Sequence, residues 1–172
     1  MSSVVFVAGL AGTGKSTLAD LLAENLGGVH LDFDRVSAQV VADARVRHPE
    51  LSEAEVLARV KDERYAALRA ALQDVCSREP DTPVVVSAPF TRQIASPETW
   101  QVWESAAPGS LLVWLRLDEA DRQRRVTARG ATRDVGVAAV PVGRPAVPHL
   151  ALDAAAPPTE LAAAIQRALA GD

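Results

Sequence analysis

Nine residues near the start of the chain, Gly9-Leu10-Ala11-Gly12-Thr13-Gly14-Lys15-Ser16-Thr17, spell G-x-x-x-x-G-K-[ST]. The chemistry that this spacing serves is the holding of phosphate. Glycines let the backbone wrap until successive N–H groups point inward, and the positive end of a following helix adds to the same field. The loop thereby becomes a cage for the β-phosphate of a nucleotide. Lys15 is expected to reach the β- and γ-phosphates and Ser16 to ligate Mg²⁺. Lys15 and Lys61 are the only lysines, against sixteen arginines, so a lysine stands at the one position that needs a compact point charge.

Asp32 and Asp34 close a second expected strand, Val29-His30-Leu31-Asp32. In an extended segment alternate residues point the same way, so both carboxylates would face the γ-phosphate. Phosphoryl transfer asks for such a pair: one group holds Mg²⁺, directly or through water, and the other takes the proton of the attacking hydroxyl. A helix cap at Asp34 would explain one aspartate and not two. His30 is expected to alternate to the other side and to be structural. Further on, Arg122, Arg125 and Arg129 are spaced i, i+3 and i+7 on one helical face, flanked by Arg124 and Arg133. Such a helix leading into a flexible segment suits a closing lid that brings cations to a transferring phosphoryl group, with Arg125 or Arg129 the expected phosphate contact. Arg92, just past Pro89-Phe90-Thr91, is a candidate for an anionic acceptor or a surface residue opening the next helix. Trp100 and Trp103 are read as helix packing, and Cys76 as a structural thiol on an apolar face. Ser87-Ala88-Pro89 stands at the end of the third strand, where many nucleotide hydrolases carry an acid, and the Asn-Lys-x-Asp guanine motif is absent.

The elements that must position these groups are legible as periodicity. Val4 to Ala8, Val29 to Asp32, Val84 to Ser87, Leu111 to Leu117 and His149 to Asp153 read as strands, the first and third as buried ones. Helices are expected from Lys15 to Leu26, stopped by Gly27-Gly28, around Val36 to Val41, and from a Ser52/Glu55 capping box through one long helix to Val75. Others are expected at Pro97 to Ala106, Asp118 to Arg129 and Pro158 to Ala170. Residues 131–148 show no period and read as a loop of functional length. Strands alternating with helices predict a parallel sheet covered on both faces, with ligands at the carboxyl ends of the strands.

The 172 residues fit a single domain, 1–172, with a lid region at about 118–147. The net charge of −4 argues against a broad grip on nucleic acid. One cysteine, no signal-like N-terminus and no apolar run of membrane length predict a cytoplasmic protein without a membrane partner.

Taken together, Gly9 to Thr17, Asp32-x-Asp34, the arginine helix and Asp153 with Pro157-Pro158-Thr159-Glu160 make the chain resemble the small phosphate-loop kinases, a group including shikimate kinase, gluconate kinase, chloramphenicol phosphotransferase and the kinase domain of phage-type polynucleotide kinase. The resemblance implies a three-layer α/β fold with strand order 2-3-1-4-5, ATP and Mg²⁺ as cofactors, and a small-molecule acceptor bound by a monomer or homodimer. It implies metal work for Asp32, acceptor binding or base work for Asp34, and a place for Asp153 near the adenine. Asp34-Arg35 is similar to the polynucleotide kinases, which adds Arg35 to the acceptor side. At strand three Ser87-Ala88-Pro89-Phe90 replaces the glycine triplet of shikimate kinase, so that substrate does not carry over. The expected activity is transfer of the γ-phosphate to a small-molecule hydroxyl. The alternatives are a nucleoside, nucleotide or polynucleotide 5'-kinase, or a nucleotide-binding regulatory module.

Overall fold

The computed structural model describes residues 3–128 and 143–171. Five strands, β1 (Val4–Ala8), β2 (Val29–Asp32), β3 (Val84–Ala88), β4 (Leu111–Arg116) and β5 (Leu150–Asp153), form one sheet in the order β2-β3-β1-β4-β5, with every neighbouring pair parallel. β1 and β3 are buried at every position because helices cover both faces, which is why they are apolar throughout instead of alternating.

On one face lie α1 (Lys15–Leu26) and α8 (Pro158–Ala170). Leu18, Leu22, Leu161 and Ile165 pack there against Val5, Val7, Val113 and Leu115. The other face carries α2 (Phe33–Val36), α5 (Lys61–Arg78) and α6 (Pro97–Ala106). An aromatic cluster fills it: Phe6 meets Phe90, Trp100 and Trp103 edge-on at centroid distances of 5.7, 5.1 and 5.8 Å. Both tryptophans are therefore core residues. Cys76 is half-buried beside this cluster, where burial raises its thiol pKa.

The long helix expected after Ser52 is two helices. The Ser52/Glu55 capping box forms and starts α4 (Glu53–Arg59), but the chain bends at Val60 and resumes as α5. The bend lets Val56 and Val60 turn toward Ala44 on α3 (Ala38–Arg47) and enclose a small cluster of their own, with Val40, Val41 and Leu51, apart from the sheet. A straight helix would have carried that apolar stripe past α3.

α7 (Glu119–Ala128) follows β4 and packs against the turn between β1 and α1. Arg129, Arg133 and most of the expected lid loop lie outside the described residues. No helix among those described is long and apolar enough to cross a membrane.

Candidate active site

The β1–α1 turn places the phosphate-binding motif at the carboxyl edge of the sheet. Gly14 caps α1 with φ 86°, in the left-handed region that favours glycine, and so aims the first N–H groups of α1 into the cleft. The loop is held from behind. The N–H and Oγ1 of Thr13 donate to the carbonyl of Leu10 at 3.3 and 2.9 Å, and Nζ of Lys15 donates to the same oxygen at 2.8 Å.

Facing the loop is the end of β2. Oδ2 of Asp32 accepts from Oγ of Ser16 at 2.8 Å and from Oγ of Ser87 at 3.2 Å. Its Oδ1 accepts from the backbone N–H of Asp34 and Arg35 at 3.0 and 3.1 Å. Burial pushes this carboxyl pKa up, but the bonds from Ser16, Arg35 and Ser87, with the nearby His30, outweigh burial and leave it below the ordinary carboxylate value. Asp32 is thus the N-cap of α2 as well as the partner of Ser16. The third strand ends without an acid, and the neighbouring strand supplies one beside Ser87 instead.

The strand ends at Asp32, and Asp34 lies in the first turn of α2. The two carboxylates therefore do not share one extended segment. Asp34 instead faces Arg64 on α5, whose Nη2 donates to its Oδ1 at 2.5 Å. Arg64 is buried, with Nε donating to Oγ of Ser37 at 2.8 Å and its guanidinium 4.1 Å above the Phe33 ring. His30 is two residues from Asp32 on the same strand and so faces the same side, contrary to the expected alternation. One ring nitrogen meets Ser87 at 2.8 Å and the other meets Asp20 at 2.7 Å. Arg35 reaches Asp20 at 3.4 Å.

These groups enclose a cleft of about 520 Å³, with Ala11, Gly12 and Gly14 to Thr17 on one wall and Asp34, Arg35, Leu57 and Arg64 on the other. Arg92 does not line it. Arg92 pairs with Asp62 at 3.0 Å beside a separate concavity of about 260 Å³. Arg125 comes close: one guanidinium nitrogen lies 4.0 Å from where a Cβ on Gly14 would stand, and another donates to the carbonyl of Ala154 at 3.1 Å. Asp153 ends β5, where its carboxylate accepts from the N–H of Ala155 at 2.9 Å. Arg122, expected among the lid cations, is buried against the outside of the phosphate loop.

Arg64 and Ser87 were not singled out as site residues from the sequence. Arg64 does leave a signal, an arginine four residues from Val60 and from Leu68 on the apolar stripe of its helix. A charge at a core position needs partners.

The donor set suits Mg²⁺. Ser16 and Asp32 offer a hydroxyl and a carboxylate in contact, and this hard ion is bound by one or two such oxygens together with nucleotide phosphates. Among the described residues no group of three or more His, Cys, Asp or Glu could hold a metal by itself, so a bound ion would share phosphate ligands.

The sheet order, the phosphate loop and the cleft define a P-loop nucleotide-binding protein with the fold of the small P-loop kinases. Residues 4–141 match the AAA domain family AAA_33, and the chain belongs to that family. Among curated proteins none matches the sequence. Among solved structures, an APS kinase from Mycobacterium tuberculosis in complex with AMPPNP and APS is 23% identical, covering 98% of this chain and 97% of its own, with a TM-score of 0.64. A sugar kinase from Janibacter sp. HTCC2649 is 21% identical over 99% and 94%, TM-score 0.62. A gluconokinase from Sinorhizobium meliloti 1021 is 23% identical over 94% and 87%, TM-score 0.58.

Proposed function

We propose that the chain is an ATP- and Mg²⁺-dependent kinase that transfers the γ-phosphoryl group to a hydroxyl of a small molecule. The observation that carries this reading is the two-walled cleft, in which a phosphate cage with Lys15, Ser16 and Asp32 faces a second carboxylate, Asp34, and a buried cation, Arg64. A protein that only sensed nucleotide would need the first wall alone. The kinase names of the structural neighbours support the same reading.

In this mechanism Lys15 exchanges the Leu10 carbonyl for the β- and γ-phosphate oxygens, and Gly9 to Thr17 hold the polyphosphate through their backbone N–H groups. Ser16 and Asp32 would hold the metal ion, which would supply charge neutralisation to the phosphates. Asp34 takes the proton of the attacking hydroxyl as the new O–P bond forms, the bond from the γ-phosphorus to the bridging oxygen breaks, and ADP leaves. Arg64 orients Asp34. Arg35 borders the acceptor. Arg125, between Gly14 and Ala154, lies against the nucleotide, with Asp153 toward its base.

The test is acceptor-dependent ADP release from ATP, screened over sugar acids, amino alcohols, nucleosides and antibiotics. At least one class is expected to stimulate release, and chelation with EDTA is expected to abolish it. Tight ATP binding with no stimulation by any class would leave a regulatory module in place of an enzyme. Stimulation by nucleosides alone would make it a 5'-kinase. Arg125→Ala is expected to lower kcat about tenfold to a hundredfold while weakening ADP binding less, since charge stabilisation is needed most in the transition state. Equal and small effects on both would return Arg125 to a purely structural place at Ala154.

A further inference from the structure

α7 touches the phosphate loop at two points. Nη1 of Arg122 donates to the carbonyl oxygen of Ala11 at 3.3 Å. Next to it the bare α-carbon of Gly12 abuts the helix, where an added Cβ would stand 2.9 Å from Cγ2 of Val126 and 3.2 Å from the carbonyl of Arg122.

Arg122 is only 6% exposed. Glu119 engages two more of its nitrogens, Nε to Oε2 at 2.8 Å and Nη2 to Oε1 at 2.7 Å. These bonds, with one from Gln123, pull the Glu119 carboxyl pKa down to about 2, so the pair stays ionised. Arg122 does not line the cleft. Its bond to Ala11 is made to a carbonyl of the loop, not to one of the N–H groups that would hold phosphate.

A loop that turns its N–H groups inward turns carbonyls outward, and an outward carbonyl shielded from water needs a donor. Thr13 and Lys15 serve Leu10, and Arg122 serves Ala11. The Ala11 carbonyl belongs to the peptide whose N–H is that of Gly12, so fixing one end of this peptide fixes the other.

We infer that Arg122 is a positioning residue for the phosphate loop: anchored on α7 by Glu119, its guanidinium sets the Ala11–Gly12 peptide and thereby the grip on the polyphosphate. This rests on the reading of the chain as an ATP-dependent kinase and adds a residue outside the cleft to its nucleotide site. A bidentate pair to Glu119 plus a third bond to Ala11 uses the planar fork of arginine, which an ammonium cannot reproduce.

The experiment measures dissociation constants for ATP with MgCl₂ and for inorganic tripolyphosphate by calorimetry, with the melting temperature alongside, and needs no acceptor. Arg122→Met keeps the buried volume and removes the donors. It is expected to weaken both ligands about tenfold. Arg122→Lys should recover only part of that loss. Both constants within twofold of wild type in a folded Arg122→Met protein would overturn the inference, whatever its melting temperature. Should Arg122→Met fail to fold, Glu119→Gln decides, because it loosens the guanidinium without removing it. Weakening of tripolyphosphate by about threefold is then expected, and no change overturns the inference. Lys15→Met separates the two levels: if it binds tripolyphosphate as wild type does, the phosphate-site reading itself is at fault, and if it loses binding while Arg122→Met does not, only the role of Arg122 falls.

Discussion

Lys15→Met is expected to fold and to lose phosphoryl transfer. The side chain is half-buried, its stem lies along the loop, and its ammonium donates to the Leu10 carbonyl at 2.8 Å. Methionine keeps most of that volume, and the loop retains the two bonds from Thr13 to the same carbonyl. What disappears is the only lysine charge in the cleft, at the place where negative charge accumulates as the γ-phosphoryl group moves. Removing one preorganised donor of this kind costs about 10²- to 10³-fold, and a full charge more, so kcat should fall at least about 10³-fold, ~4 kcal/mol of barrier. ATP affinity should weaken too. Steady-state ADP release with an active acceptor measures the first effect and calorimetric titration the second. Retained turnover in this variant would refute the phosphate-loop assignment.

Asp34→Asn should separate chemistry from architecture. Asp32, not Asp34, caps α2, so the cap survives the substitution intact. The asparagine oxygen can still accept from Arg64, although a neutral partner for a buried guanidinium should lower the melting temperature by a few degrees. As the group proposed to receive the hydroxyl proton, Asp34 has a far larger effect on rate: loss of a positioned base costs about 10²- to 10⁴-fold, or roughly 3 to 5 kcal/mol. ATP binding should change little, because Asp34 stands on the wall opposite the phosphate loop. Turnover within about threefold of wild type, together with a lowered melting temperature, would make Asp34 a counter-ion for Arg64 and nothing more.

What could be read from the chain alone divides along a physical line. β1, the glycine-rich loop and α1 form one contiguous segment whose period, glycines and lysine all point to the same structure, and strand order followed from the resemblance they support. The network around Asp32 draws on Ser16, His30 and Ser87, from three separate elements, and only the register of β2 against β3 brings Asp32 beside Ser87. The pairing of Asp34 with Arg64 spans thirty positions and depends on the bend at Val60, which leaves little trace in a helical pattern. Arg122 misleads for the opposite reason. Its spacing with Arg125 matches a charged helical face, yet one arginine turns onto the back of the phosphate loop while the other reaches Ala154. Periodicity gives the angle around a helix axis and is silent about which neighbour waits there.

The small cluster of Ala44, Val56 and Val60 has a consequence for how such a protein can change over time. The wall carrying Leu57 rests partly on that cluster, whereas the phosphate cage rests on the sheet and α1. Mutations at Val40, Val41 or Leu51 are expected to shift Leu57 and its helix more than the phosphate loop, because those residues pack on Ala44, Val56 and Val60 and not on the sheet. On the proposed reading, inheritance can hold the phosphate-handling half constant while the wall beside Leu57 varies with the acceptor, and a designer could randomise the same few positions to the same end.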